Sequence, residues 1–150
     1  MKLRVLIGLL IVIFVTANVR AADPKLDGAY KFVGLKFPGG SQSDADVKGM
    51  IVVHGKYMAF VRANVGRKTW DQNEPEAERA KKIVAAYLGM AATCGTFELQ
   101  GDVISLTQLA QSSPASMGAT TKWKYKLQGK TLTLEPVPNP GVEFTFERLP

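Results

Sequence analysis

The chain has 150 residues, a formal net charge of +6 at pH 7 and a single cysteine. One cysteine excludes an intramolecular disulfide, so the fold must be stabilised by packing. The length beyond residue 21 is that of one domain of ordinary size, long enough for a core of its own.

The first residues have the pattern of an export signal. Lys2 and Arg4 form a positive start, residues 5–15 are apolar or glycine, and a small-residue cleavage site ends at Ala21. We therefore predict a secretory signal peptide over residues 1–21, with a barrel domain over residues 22–150 that is periplasmic or secreted. The apolar run is about half of the ~20 residues that a membrane-spanning helix needs, so a retained anchor is the weaker alternative.

Cleavage after Ala21 or Ala22 would also change the charge. Three of the basic residues, Lys2, Arg4 and Arg20, leave with the signal, which lowers the net charge from +6 to +3. A charge of this size keeps a protein soluble but does not indicate a nucleic-acid-binding surface.

Short alternating segments separated by glycine-containing turns fill most of the remaining chain. In residues 122–127 the lysines share one face, while Trp123, Tyr125 and Leu127 share the other, which is typical of a strand with one packed face. The similar segments FELQGDVISL and YKLQGKTLTL indicate hairpins whose turns use the positive φ of glycine. Further strands are predicted near residues 28–37, 47–54, 57–66 and 142–149.

One segment between strands has a helical pattern. Asn73 is the expected cap, Glu76 follows three residues later, and Glu78 and Lys82 have the spacing of a helical ion pair. An apolar stripe follows at residues 83, 84, 87, 88 and 91, and we expect it to pack on the barrel or cap one mouth. The predicted fold class is mainly β: an antiparallel up-and-down barrel of about eight strands, with one α-helix inserted between the third and fourth strands.

Several segments carry a resemblance, and their order matters more than any one of them. They are Gly28-Ala29-Tyr30, residues 48–52, Gly95-Thr96-Phe97-Glu98, residues 129–134 and the closing residues 144–149. Together they resemble the small bacterial lipocalin-like domain family. This resemblance implies a calycin-type barrel that binds small apolar molecules and has no general catalytic activity.

The resemblance also concerns Gly28 and Arg148. Lipocalin-type proteins open with Gly-x-Trp and pack that tryptophan near an arginine of the last strand; here Tyr30 replaces the tryptophan. Alternation independently places Arg148 on the apolar face of its strand, where stacking on Tyr30 or Phe32 would accommodate the guanidinium. Arg148 is then either a plug for one end of the barrel or a partner for a ligand carboxylate.

Catalytic and metal-binding patterns are weak. Cys94 shares a strand face with Thr96 and Glu98, and His54 is expected at a solvated hairpin tip, so we interpret Cys94 as a wall residue and predict no catalytic pair. One cysteine and one histidine without paired spacing predict neither a zinc site nor another metal or cofactor, although a haem held by one histidine stays open. Asp44 and Asp46 lie in a glycine- and serine-rich loop.

The barrel interior is the predicted ligand site. Which face of the second and third predicted strands is interior stays open, because both faces are apolar; if Met58, Phe60 and Arg62 face inward, Arg62 is a candidate anchor for an acidic group. Trp70, beside Arg67 and Lys68, either receives an anionic head group or anchors a loop. The predicted ligand-binding residues are Phe60, Arg62, Trp70, Phe97, Trp123, Tyr125, Phe144, Phe146 and Arg148.

Three functions fit this sequence. The first is an exported barrel, monomeric or weakly dimeric, that binds a small, mainly apolar ligand. The second is a ligand-free barrel that binds another protein as an inhibitor or envelope factor, and the third is a small isomerase or cyclase. An interior filled by Trp123, Phe144 and Phe146 favours the second, and an open cup with Arg62 or Arg148 at its base favours the first.

Overall fold

The protein is described by a computed structural model over residues 24–150. The predicted signal peptide lies outside these residues. A 3₁₀ turn, Pro24–Leu26, precedes nine strands and one α-helix. They are β1 (Gly28–Phe37), β2 (Gly40–Ser43), β3 (Val47–His54), β4 (Tyr57–Asn64), α1 (Glu76–Leu88), β5 (Met90–Gln100), β6 (Val103–Gln111), β7 (Thr120–Gln128), β8 (Thr131–Pro136) and β9 (Glu143–Arg148); a second 3₁₀ turn, Pro114–Ser116, precedes β7.

The strands form one antiparallel sheet that closes into a barrel. Their order is β2-β1-β3-β4-β5-β6-β7-β8-β9, and β1 also pairs with β9. Eight strands therefore complete the ring, while the short β2 pairs only with the second half of β1. The predicted up-and-down barrel is confirmed. Because β2 was not predicted, the helix follows the fourth strand instead of the third.

The two ends of the barrel differ in the length of their connections. At one end, three hairpins turn through only two residues each, and the first residue of each turn is a glycine with positive φ: Gly55, Gly101 and Gly129. Only glycine takes this conformation without steric cost, as the repeated turn pattern predicted. We call this the closed end. The connections at the other end, residues 38–46, 65–89, 112–119 and 137–142, are longer, and we call it the open end.

A cluster of aromatic rings crosses the barrel interior. Phe60 on β4 lies edge-on to Phe144 and Phe146 on β9, with ring centroids 6.1 and 5.8 Å apart. Phe146 also contacts Phe32, and Phe144 contacts Trp123. Edge-to-face pairs at these distances add to the burial energy of the rings. The cluster therefore joins opposite walls of the barrel and fills the space between them.

The structure settles the orientation of β3 and β4. Ile51 and Val53 are buried, whereas Met50 and Val52 on the alternate face are exposed. On β4 Met58 is buried, and Phe60 and Arg62 share its face. The side of β4 that carries Phe60 and Arg62 is consequently the interior.

Helix α1 corrects three expectations: its packing, its N-cap and its ion pair. None of its residues is buried, and the stripe predicted to pack on the barrel stays exposed, from 41% at Ile83 to 76% at Leu88. Asn73 does not cap the helix; the N-cap is Pro75, and no side chain bonds there. Lys82 pairs with Glu74, and Lys81 with Glu78, in place of the expected pair. Within residues 24–150, no helix has the length and apolarity needed to cross a membrane.

Candidate ligand site at the open end of the barrel

The closed end is sealed by Arg148 together with residues 25–30. The Arg148 guanidinium lies 4.8 Å from the centre of the Tyr30 ring and donates hydrogen bonds to the carbonyls of Lys25 and Asp27 and to the Tyr30 hydroxyl. That hydroxyl donates to the carbonyl of Leu26 at 2.9 Å. The predicted stacking of Arg148 on Tyr30 is present. The guanidinium is bound by residues of its own chain at the closed end.

Tyr30 is fully buried in this seal, and its environment changes its acidity. Burial raises the pKa of the phenol above 10.0, and the nearby Asp27 acts in the same direction, whereas Arg148 partly opposes them. Burial disfavours the charged phenolate, so the neutral form persists to higher pH. Gly28 leaves room for the guanidinium, because a Cβ there would lie 3.0 Å from a terminal nitrogen of Arg148.

The open-end half of the interior contains polar side chains that are incompletely satisfied. Gln108 is 4% exposed and donates through Nε2 to Thr121 Oγ1, which also accepts from the indole of Trp123 at 3.0 Å. Gln108 Oε1 and Thr93 Oγ1 are buried and have no hydrogen-bond partner among the described residues. Gly95 pairs with Gln108, and Thr93 lies two residues before Gly95 on β5. The side chains of Thr93 and Gln108 are therefore diagonal neighbours on the inner face of β5 and β6.

A small cavity lies beside Thr93. It is lined by Thr93, Phe60, Trp123, Phe144 and Phe146, together with aliphatic residues of β3, β4, β6 and β8. The centre of a water molecule has ≈ 20 Å³ available within it. That volume suits about one water, whereas pockets for drug-sized ligands measure roughly 300–1,000 Å³. The interior is therefore packed, which favours the second of the three functions.

Arg62 lies beyond Phe60 on the same face of β4, towards the open end. It is half-buried, and no hydrogen bond or ion pair joins it to another residue within 24–150. The facing residue on β3 is Gly49, where a Cβ would approach the Arg62 Cβ to 3.0 Å. Glycine at this position gives the arginine space, and its positive charge stays available.

The other predicted ligand-binding residues are spread through the molecule. Phe97 and Phe146 are core residues, 3% and 1% exposed, and Tyr125 is half-buried against the core. Arg148 is at the closed end, away from Arg62. Trp70 is 42% exposed in the connection before α1 and does not line the interior cavity. Of the predicted residues, the structure therefore brings Phe60, Trp123, Phe144 and Phe146 together around the interior cavity.

An open groove of ≈ 500 Å³ separates α1 from the connection that follows β4. Arg67 and Lys68 line it on one side, and Lys81 and Lys82 line it on the other. Both helix lysines are already paired with glutamates of their own segment. The basic pair predicted beside Trp70 thus faces a solvent-filled groove, and Trp70 does not contribute to its lining.

Cys94 and His54 lie on the outside of the barrel. Cys94 is exposed, and the His54 side chain is 89% exposed, with Nδ1 3.5 Å from a carboxylate oxygen of Asp27. Strand β4 separates β3, which carries His54, from β5, which carries Cys94, and no hydrogen bond joins the two side chains. In residues 24–150, no group of three or more histidine, cysteine or acidic residues is arranged to hold a metal ion.

Sequence reasoning did not identify Thr93, Gln108 or Thr121. Alternation alone places Gln108 on the apolar face, because it follows Ile104 and Leu106 at intervals of two. A buried glutamine in such a run is a usable signal, since buried amides normally have partners. Which of its atoms lacks a partner depends on strands distant in sequence and appears only in the folded chain.

The match to a protein family agrees with this architecture. A family model for the lipocalin-like domain matches residues 34–143. Among solved structures, an uncharacterised protein from Bacteroides eggerthii is similar at 12% identity and a TM-score of 0.47, with coverage of 82% of this chain and 98% of that one. No curated protein matches the chain.

Proposed function

Because the chain belongs to the lipocalin-like domain family, we propose that it binds a small, mainly apolar molecule in the open-end half of its barrel. One observation carries this proposal: Thr93 Oγ1 and Gln108 Oε1 are buried without hydrogen-bond partners. Leaving such a group unpaired costs about 1–3 kcal/mol, so a ligand that pairs with it gains this amount in addition to its apolar contacts. The export pattern of residues 1–21 adds that the protein acts in the periplasm or outside the cell.

The chemistry of these groups defines the ligand. The Gln108 oxygen accepts but cannot donate, so the ligand must present a hydroxyl or N–H group to it. The apolar body of the ligand would lie against Phe60, Trp123 and Phe144. An acidic end group, where the ligand has one, would lie near Arg62, whose charge has no protein partner among the described residues.

Binding also requires movement, because the cavity suits only about one water. Phe60 and Trp123 are half-buried, in contrast to the buried Phe146. Rotation of either half-buried ring would enlarge the cavity towards the open end while the closed end stays sealed. The ligand therefore takes the place of an aromatic side chain instead of entering a preformed cup.

The first test is to express the full chain, purify its exported form gently and compare native with denaturing mass spectra. A small molecule released on denaturation would support the proposal and give the mass of the ligand. The same spectra locate the cleavage site.

A second test uses defined probes and covers a ligand lost in purification. Trp70→Phe leaves Trp123 as the only tryptophan, and its fluorescence then reports on the cavity. 4-Hexylphenol should bind about tenfold more tightly than hexylbenzene, because only the phenol has a donor for the orphan oxygens. Thr93→Val should reduce this preference, whereas Thr96→Val on the outer face of the same strand should preserve it. If neither probe changes the fluorescence and no molecule co-purifies, the proposal is wrong.

The packed interior favours a second candidate function, in which the barrel acts through a protein interface on its outer wall. Ligand binding and a protein interface are compatible, because the first uses the inner face of the sheet and the second its outer face. Native mass spectra distinguish them: a ligand adds a small mass, and a bound protein adds a large one.

A further inference from the structure

The outer face of β3, β4 and β5 is apolar across its centre. Met50, Val52 and Val61 are 38%, 42% and 47% exposed there. A shallow groove of ≈ 390 Å³ runs between them. We define the apolar wall by six side chains: Met50, Val52, Ala59, Val61, Ala92 and Cys94. Ala110 of β6 pairs with Cys94 and extends the wall by one strand.

The opposite side of the barrel is different. Strand β7 turns Lys122, Lys124 and Lys126 to solvent, and β9 carries Glu143 and Glu147 on its outer face. A solvated outer wall normally has this composition, because charged side chains keep water at the surface. Contiguous exposed apolar surface on a soluble domain is instead typical of a site of association.

Two charged side chains lie at opposite corners of the apolar wall. Val52, Ala59 and Cys94 form one row across β3, β4 and β5. Lys48 precedes Val52 by four residues on β3, and Glu98 follows Cys94 by four residues on β5, towards the other end of the barrel. Lys48 and Glu98 have no ion-pair partner within residues 24–150.

This arrangement is complementary to itself. In a face-to-face pair related by a two-fold axis, each contact occurs twice with the partners exchanged. The required axis lies in the plane of the contact, passes near Ala59 and is perpendicular to the line from Lys48 to Glu98. It superimposes the Lys48 corner of one wall on the Glu98 corner of the other. We propose that the apolar wall is the interface of a symmetric homodimer, centred on Ala59 and closed at both corners by Lys48–Glu98 ion pairs between subunits.

The size of the wall indicates weak association. The three strands span about 15 Å across, and Lys48 and Glu98 are about 26 Å apart along them, which corresponds to roughly 400 Å² on each partner and about 800 Å² in total. That area is at the small end of specific interfaces, and charged pairs at its rim add selectivity more than affinity. The dimer should therefore dissociate on dilution.

The first experiment is sedimentation of the purified protein over a wide range of concentration, with the wild type beside two matched variants. The wild type should shift from monomer to dimer as its concentration rises. Ala59→Lys places a charge at the centre of the wall and should abolish the shift, whereas Thr145→Lys adds the same charge to the opposite wall and should preserve it. A wild type that stays monomeric overturns the proposal, and so does an Ala59→Lys variant that still dimerises.

A charge exchange tests the predicted symmetry. Lys48→Glu should weaken the dimer about tenfold, because it places like charges at both corners. Adding Glu98→Lys to this variant restores opposite charges and should recover most of the affinity. If the double variant is weaker than Lys48→Glu alone, the proposed pairing is wrong.

The single cysteine gives an independent measurement. Cys94 is exposed on the strand next to Ala59, so the two copies of Cys94 should face each other near the axis. Packed sheets lie about 10 Å apart, which a short bismaleimide can bridge. Cross-linking should give a dimer in the wild type and in Thr145→Lys but not in Ala59→Lys. Absence of cross-linked dimer at concentrations where sedimentation shows dimer would overturn the face-to-face arrangement.

Discussion

Replacing Arg148 with methionine should destabilise the barrel by about 2–4 kcal/mol. The guanidinium donates to three oxygens and stacks on Tyr30. Hydrogen bonds from a charged group contribute about 1.5–3 kcal/mol each, and a cation–π contact about 0.5–2 kcal/mol. The sum of these contributions is an upper limit on the loss of stability, because water can satisfy the carbonyl of the exposed Lys25 and methionine retains part of the packing.

Urea denaturation of the wild type and Arg148→Met measures this difference directly. In thermal unfolding, the same loss should lower the melting temperature of a domain of this size by about 10 °C. Arg62→Met is the matched control, because Arg62 has no partner within residues 24–150 and its replacement should cost less than about 1 kcal/mol. If the two variants lose the same stability, or if Arg148→Met loses less than about 1 kcal/mol, then the contacts at the closed end do not stabilise the fold as argued.

Two further predictions concern Gly95 and Tyr30. A Cβ at Gly95 would lie 1.9 Å from the Thr107 carbonyl oxygen, so Gly95→Ala should cost at least about 2 kcal/mol in urea denaturation. Gly34→Ala is the control: a Cβ there would have its nearest contact at 3.4 Å, and the loss should be less than about 1 kcal/mol. Equal losses in the two variants would contradict this prediction. Because the folded pKa of Tyr30 is raised, its contribution to stability is present below the unfolded value of about 10 and is lost as pH rises above it. Denaturation at several alkaline pH values should show a shallower loss in Tyr30→Phe than in the wild type, and parallel losses would refute the assignment.

The sequence predicts most of the strands because their two faces differ. In β7 lysines alternate with Trp123, Tyr125 and Leu127, so the pattern predicts both the strand and its buried face. The short strand β2, GSQS, has no apolar residue, and its glycine- and serine-rich composition predicts a loop. Its pairing with β1 depends on a neighbour that the local pattern does not reveal.

The orientation of β3 and β4 was undecidable for a physical reason. Met50 and Val52 are as apolar as Ile51 and Val53, yet only the second pair is buried. A strand that is apolar on both faces gives no alternation signal, and here the additional apolar face is the exposed wall. The candidate site was also only partly predictable: Phe60, Trp123 and Phe144 follow from alternation, whereas the unpaired atoms of Thr93 and Gln108 depend on contacts between strands.

The pairing of β1 with β9 determines when the barrel can be completed during folding. Tyr30 and Arg148 are opposite each other in this pair, so the first and last strands must meet across nearly the whole domain. Contacts between residues so far apart in sequence form slowly, because a long loop must close before they contribute energy. Until β9 arrives, β1 and β8 each have an unpaired edge that can join another chain. Closure of the barrel is thus the step at which this protein is most exposed to aggregation, and the seal at Arg148 ends that exposure.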